Sequence, residues 1–292
     1  AVVRGLSWAL QRTLGVSGVV GLGGGATVFL GVVESPLVLR AWFGRMSRSD
    51  LFMIMVLIMA TISGAILVLY ATTLSKTVPN AVGHMIVASL ISLPAAILVA
   101  RLMVPGDGTQ DTAPAEPDLR YESSMDAVIR GTMEGVTLVL AVIGIIITVF
   151  ALVTLVDQVL ALLPFGEGAP LTLRRMLGWV LAPAMWAIGV PWDQAPAAGS
   201  LMGTKAVLNE YVAYLDLAAL PAGALDPRSL LIVTYALCGV ANLASVGLIV
   251  STVGTLSPER RGDVAQLGMK SWLAGNMVSM MSGAVIGLVT WT

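Results

Sequence analysis

Five stretches of this chain, 51–75, 77–100, 135–156, 229–258 and 271–292, run without a single Asp, Glu, Lys or Arg. A helix crosses the hydrocarbon core of a bilayer with about 20 predominantly apolar residues, so each stretch is long enough for one membrane span. His84 and Pro94 fall within 77–100 and do not change that reading. Only 11% of the residues are charged, against roughly 25% in a soluble domain. The sequence therefore predicts an all-α integral membrane protein, a polytopic helical bundle with the lipid bilayer as its solvent.

Several function classes are excluded at once. A formal net charge of -1 leaves no electrostatic footprint for nucleic acid. Cys238 is the single cysteine and His84 the single histidine, so neither an internal disulfide nor a zinc site of histidines can be built. The acidic residues have no His or Cys companions at ligand spacing, and no cofactor motif is present. There is no G-x-S-x-G elbow, H-E-x-x-H or G-x-x-x-x-G-K-[ST], so an enzyme is not expected. The chain opens on Ala1 and carries no signal-peptide pattern. It reads as starting in the middle of something, and an incomplete N-terminus is expected.

Two further apolar regions are interrupted. Region 5–42 holds Gly15, Gly18, Gly21 and the run Gly23–Gly25, then Pro36. Region 171–224 holds Pro183, GVPW at 189–192 and Pro196. Broken helices are tolerated at membrane depth where protein or a watery cavity surrounds them, and in transporters they present helix ends to substrate and ions. The plainer alternative is a pair of short surface helices joined by a loop. Each region ends near an acid in apolar surroundings, Glu34 in the first and Glu210 in the second, and each is followed by a span with small polar residues, ATISGA at 60–65 and CGVANLASVG at 238–247. The same plan occurs twice.

The boundaries that follow are a first hairpin and following helix at 1–48 and two membrane helices at 49–104. A polar loop and interfacial helix occupy 105–134, with Ser123 or Ser124 as cap, and a scaffold-type span occupies 135–165. A second hairpin and following helix take 171–224, a span 229–256, a loop 257–270 and a terminal span 271–292. Arg260, Arg261 and Lys270 place that last loop on the cytoplasmic side, and Pro258 and Glu259 after Ser257 suit a helix start.

An ionisable side chain at membrane depth is costly and marks a candidate site. Glu34 either binds a ligand or sits at a helix start satisfied by free N–H groups. Thr27 and Gly31 lie before it, where free carbonyls could hold a cation or where GGGA could pack helices closely. Lys205 and Asn209 share a helix face, which leaves Glu210 to accept from neighbouring hydroxyls, as in holding a sugar. Asn242 and Ser245 also share a face, as ligand contacts or as an interhelical clamp. Thr61 and Ser63 are the matching polar spot in the first half.

These pieces together resemble the concentrative nucleoside transporters. The resemblance covers nearly the whole chain and rests on VSGVVGLGGGATVFLGVVESPLVLR (16–40), SMDAVIRGTMEGVTLVLAV (124–142), MLGWVLAPAMWAIGVPWDQAPAAGSLMGTKAVLNEYVAYLDL (176–217), YALCGVANLASVG (235–247) and LSPERRGDVAQLGMKSWLAG (256–275). It implies a homotrimer in a plasma or bacterial inner membrane, each subunit with two re-entrant hairpins in inverted repeats. It implies nucleoside symport driven by sodium or by protons, and it puts early scaffold spans ahead of Ala1. Carried over residue by residue, the ribose-binding glutamate falls on Glu210, with Asn209 beside it, and the ribose-side asparagine and serine fall on Asn242 and Ser245. The base-reading glutamate falls on Glu34. The two base contacts before it, commonly Gln and Thr or Ser, are Val32 and Val33 here. The sodium-site Asn position is Thr27, with backbone near Leu30 and at an unwound span placed at Thr61 and Ile62. The two valines imply an altered or broadened base preference. The alternative is a non-transporting membrane scaffold or gating-type domain that keeps the hairpin fold.

Overall fold

The architecture follows from where small residues and caps fall in an apolar sequence. A computed structural model describes residues 2–106, 122–163 and 170–290. The helices are α1 (Val2–Leu14), α2 (Gly18–Thr27), α3 (Glu34–Leu39), α4 (Arg48–Ala60), α5 (Gly64–Leu74), α6 (Ala81–Met103), α7 (Ser124–Ala161), α8 (Leu173–Ala187), α9 (Ala195–Val207), α10 (Glu210–Ala218), α11 (Pro227–Leu237), α12 (Leu243–Leu256) and α13 (Arg261–Val289). Among the described residues there is no strand. One order of elements occurs twice: a helix, two short helices joined by a tip, a helix in two pieces, and a long helix. It runs through α1–α6 and again through α8–α13, with α7 between.

Three helices, over Ala81–Met103, Ile143–Ala161 and Pro258–Val289, are long and apolar enough to cross a membrane. The chain is an integral membrane protein. The spans read at 51–75 and 229–258 are each interrupted, at Thr61–Ser63 and at Cys238–Asn242. Ser63 and Asn242 restart the helices by accepting from the N–H groups of Ile66 and Ser245.

Four of the sequence expectations are corrected. The glycine run does not break the first region: Gly18, Gly21 and Gly23–Gly25 lie inside α2, and the breaks come at 15–17, where Gly15 takes a positive φ of 59°, and at 28–33. The glycines are there for close packing. A Cβ on Gly25 would lie 2.8 Å from the Val3 carbonyl of α1, and one on Gly24 2.9 Å from Leu10. Gly203 and Gly178 do the same between α9 and α8, where the corresponding distances are 2.9 Å to Leu177 and 3.1 Å to Ser200. Pro183 does not break α8, which runs on to Ala187. The interfacial helix is not separate, because α7 continues from its Ser123 cap for 38 residues. The loop at 257–270 is a 3-10 turn at Pro258–Arg260 followed by the first turns of α13. Its Glu, Arg, Gln and Lys residues are good helix formers, so polarity there signals a surface and not a break. Of the polar loop expected after 104, residues 107–121 lie outside the described residues.

Two apolar cores result. One joins α2, α4, α6, α12 and α13, and the other joins α5, α6, α9, α10 and α11. The long α13 runs through both and meets α6 at the Ser92 and Ser282 hydroxyls, 3.0 Å apart. By contrast, α7 stays at the periphery, with Val136, Leu140, Ile147 and Leu155 exposed, whereas much of α6 is buried.

Candidate functional site

The α2–α3 and α9–α10 tips and the two helix breaks line a cavity of about 690 Å³. Its wall includes Leu30, Val32, Val33 and Glu34 from the first tip and Asn209 and Glu210 from the second. Thr61 and Ser63 come from the first break, Asn242 and Ser245 from the second break and the turn after it. Val139, Ile143, Ile146 and Phe150 of α7 supply an apolar side. The substrate-site residues read from the sequence, scattered from 32 to 245, are thus brought to one cavity. Thr27 and Ile62 do not line it; they are buried behind the wall.

Glu210 opens α10, with Asn209 as its cap accepting from the Val212 N–H at 2.9 Å. Glu210 is 5% exposed. The phenol of Tyr70, on α5, donates to its Oε1 at 2.7 Å, and the Asn242 amide donates to its Oε2 at 3.1 Å. A carboxylate has about four lone-pair sites, so these donors, with its own backbone N–H, leave only part of its accepting capacity for a ligand. Asn242 Oδ1 is taken by the Ser245 N–H at 2.8 Å, which leaves one amide hydrogen of Asn242. The Ser245 hydroxyl donates to no described residue. This cluster is a clamp between α5, α10 and α12, and it is also a set of polar groups with spare capacity in a cavity.

Glu34 opens α3 at the other tip. Its carboxylate folds against Gly31, where a Cβ would collide with it, and makes no hydrogen bond or ion pair with another described residue. Pro36 sits in the first turn of α3, where helix N–H groups are unpaired in any case. Val32 and Val33 beside Glu34 offer no side-chain donor.

At the first break, the ends of two helices meet. The Thr61 hydroxyl lies 3.2 Å from the Thr27 carbonyl and 3.0 Å from that of Leu57. The Gly64 N–H donates to Phe29 O at 3.3 Å and the Ser35 hydroxyl to Leu30 O at 3.3 Å. The C-termini of α2 and α4 therefore converge, with oxygen atoms and the negative ends of two helix dipoles. No group of three or more His, Cys, Asp or Glu that could hold a metal exists among the described residues.

Tyr70 was not among the residues singled out from the sequence, although a lone Tyr in the apolar run ILVLYATTL is a visible signal. Tyr70 also stacks on Tyr211, ring centroids 5.9 Å apart, which builds the aromatic floor next to Glu210.

Residues 84–287 match the family described as "Na+ dependent nucleoside transporter C-terminus". The chain is 33% identical to the uncharacterised transporter YutK of Bacillus subtilis (strain 168), over 98% of this chain and 71% of that protein. It is 31% identical to the nucleoside permease NupC of Helicobacter pylori, over 96% of this chain and 67% of the permease. The solved structure of CNTnw in an inward-facing, substrate-bound state superposes with a TM-score of 0.80 at 34% identity, covering 99% of this chain and 69% of CNTnw.

Proposed function

Because the chain belongs to the concentrative nucleoside transporter family, we propose that it carries nucleosides across the membrane by cation-coupled symport. The family and fold are those of secondary transporters and not of enzymes. The observation that carries the reading is Glu210, a buried carboxylate held by Tyr70 and Asn242 with accepting capacity left over in a cavity of about 690 Å³. A cis-diol such as that of ribose offers two adjacent donors to such a carboxylate. Asn242 and Ser245 supply the remaining polar contacts, and Asn209 holds the tip of α10.

The base lies toward Glu34, Val32 and Val33. A carboxylate only accepts, and the valines neither donate nor accept, so base edges are read by one acceptor against an apolar wall. That supports an altered or broadened base preference, since discrimination by hydrogen bonding needs site groups that are left unpaired with the wrong substrate.

The coupling ion sits where α2 and α4 end, near Thr27, Leu30, Thr61 and Ile62. Oxygen ligands and two convergent helix C-termini suit a hard cation, and sodium is favoured over a proton because Thr27 and Thr61 do not titrate. An ion there fixes the first tip and tightens the nucleoside, and by linkage the nucleoside tightens the ion by the same factor.

The tips form two re-entrant hairpins, α2–α3 and α9–α10, in inverted repeats. With 10 and 13 residues, α2 and α9 are only about 15 and 20 Å long, short of a membrane core of about 30 Å. Alternating access moves the hairpin-bearing unit past the scaffold, to which α7 belongs. The exposed apolar face of α7, with Val136, Leu140 and Ile147, supports assembly as a homotrimer in the bilayer of a plasma or bacterial inner membrane.

Uptake of labelled uridine and adenosine into proteoliposomes, with and without a sodium gradient, tests the reading. Gradient-driven accumulation of either supports it. A protein that reaches the vesicle membrane and accumulates neither overturns it.

A further inference from the structure

The two helix breaks are built alike and finished differently. In each half, the C-terminus of the first hairpin arm meets the C-terminus of the first piece of the broken helix. The last carbonyls of a helix have no partner within it and carry the negative end of the dipole, so each junction gathers negative potential. At the first junction the Thr61 hydroxyl serves Leu57 and Thr27. Among the described residues, the carbonyls of Ile58, Met59 and Ala60 at the end of α4 accept no hydrogen bond.

At the second junction the chain supplies its own donors. Tyr214 donates to Thr234 O at 3.1 Å, and the Cys238 N–H donates to Tyr235 O at 3.0 Å. The Lys205 ammonium, on the last turn of α9, donates to Ala236 O at 3.0 Å. Lys205 is 0% exposed. It forms no ion pair within 4.0 Å among the described residues, yet Glu210 is close enough to act on its charge. An amine buried so completely is expensive unless negative charge surrounds it. Here two helix C-termini and the Glu210 carboxylate provide that charge. The two junctions also abut: a Cβ on Gly239 of the second would lie 3.0 Å from Ala60 O of the first.

We infer that Lys205 is the resident cation of the second junction, supplying there the positive charge that a soluble coupling ion supplies at the first. The inference rests on cation-coupled transport being the function. It makes the repeat asymmetric by chemistry: one junction exchanges its cation with solution, and the other carries it on a side chain. A single ion then travels with each nucleoside. Lys205 touches no substrate in this account. It is a positioning residue that fixes the second tip and balances the charge of Glu210.

The test uses the purified chain in proteoliposomes. The ratio of cation flux to nucleoside flux in the unaltered protein is expected to be one. Lys205→Ala removes the charge and opens space at the junction. Its uptake at low sodium is expected to fall by about ten-fold or more, to recover as sodium is raised, and to depend on sodium with a Hill coefficient near two. Lys205→Met keeps the stem without the charge or the space, and is expected to lose uptake without that recovery. A merely structural lysine would lower protein yield and leave the sodium dependence of the surviving carrier unchanged, and that result overturns the inference. A flux ratio of two in the unaltered protein also overturns it, even if neither variant folds, and leaves the functional reading standing. Uptake indifferent to every cation gradient overturns both.

Discussion

The phenol of Tyr70 donates to Oε1 of Glu210 at 2.7 Å, joining positions 140 residues apart from the two halves of the chain. The bond sets which way the carboxylate faces and leaves its other lone pairs toward the cavity.

Tyr70→Phe keeps the ring stack on Tyr211 and removes only that donor. A hydrogen bond to a charged group is worth about 1.5–3 kcal/mol. The apparent nucleoside affinity is therefore expected to drop by about ten-fold or more, with the amount of protein in the membrane unchanged. Concentration-dependent uptake measures it, and an unaltered KM would show that Tyr70 does not orient Glu210.

Thr61→Val removes the hydroxyl that bridges Thr27 and Leu57 without changing the volume much. The sodium concentration for half-maximal uptake is expected to rise several-fold, roughly the 5-fold or more of a typical coupling free energy. Maximal uptake at saturating sodium is expected to stay near that of the parent. A shift in nucleoside affinity alone, at every sodium concentration, contradicts the placement of the ion at the α2–α4 junction.

Val32→Gln combined with Val33→Thr restores side-chain donors beside Glu34. Competition by a panel of nucleosides should then show a narrower preference than the parent chain shows. A parent that already prefers one pyrimidine sharply contradicts the account of the apolar base side.

Asp226 caps α11, accepting from the Ser229 N–H at 2.7 Å and from Gln194 at 3.1 Å, while its own N–H donates back to Gln194 at 3.1 Å. Burial opposes its ionisation, but these donors outweigh it and hold the carboxyl below its ordinary value. A carboxyl lowered on folding stabilises above its unfolded value, near 3.9, and loses that contribution as pH falls through the lower folded value. Thermal unfolding in detergent should show a loss of about 1 kcal/mol in Asp226→Ala at neutral pH, shrinking below about pH 4. An equal loss at both pH values would mean the carboxylate's charge plays no part.

Gly25→Val places branched carbons where α2 meets the Val3 carbonyl of α1. Overpacking of this kind costs about 1–3 kcal/mol, and a matching drop in melting temperature is expected. The same substitution at Gly135 of α7, where nothing lies within 4 Å of a Cβ, is expected to be far milder. Equal effects at the two sites would mean the α1–α2 contact is not close.

Much of this was legible because the membrane makes sequence periodicity simple. The uncharged run at 77–100 became α6, Ser123 capped α7, and both acids came out at the starts of helices, α3 and α10. What escaped depended on partners distant in sequence. Gly21 and Gly23–Gly25 look like a break until α1 and α4 are seen pressed against them. The charged stretch 257–270 looks like a loop until its residues are found on the exposed first turns of α13. Lys205 reads as a helix-face neighbour of Asn209, and nothing local shows that it reaches Ala236, 31 positions away. Tyr70 stands out in its apolar run, but nothing local shows that its phenol reaches Glu210, 140 positions away.

The most direct test of the central claim is nucleoside uptake by Glu210→Gln. The amide keeps the size of the side chain, but it removes the charge and turns one acceptor into a donor. The account predicts that high-affinity, gradient-driven uptake is lost while the protein still reaches the membrane. Uptake at the parent's affinity and rate in that variant would contradict it.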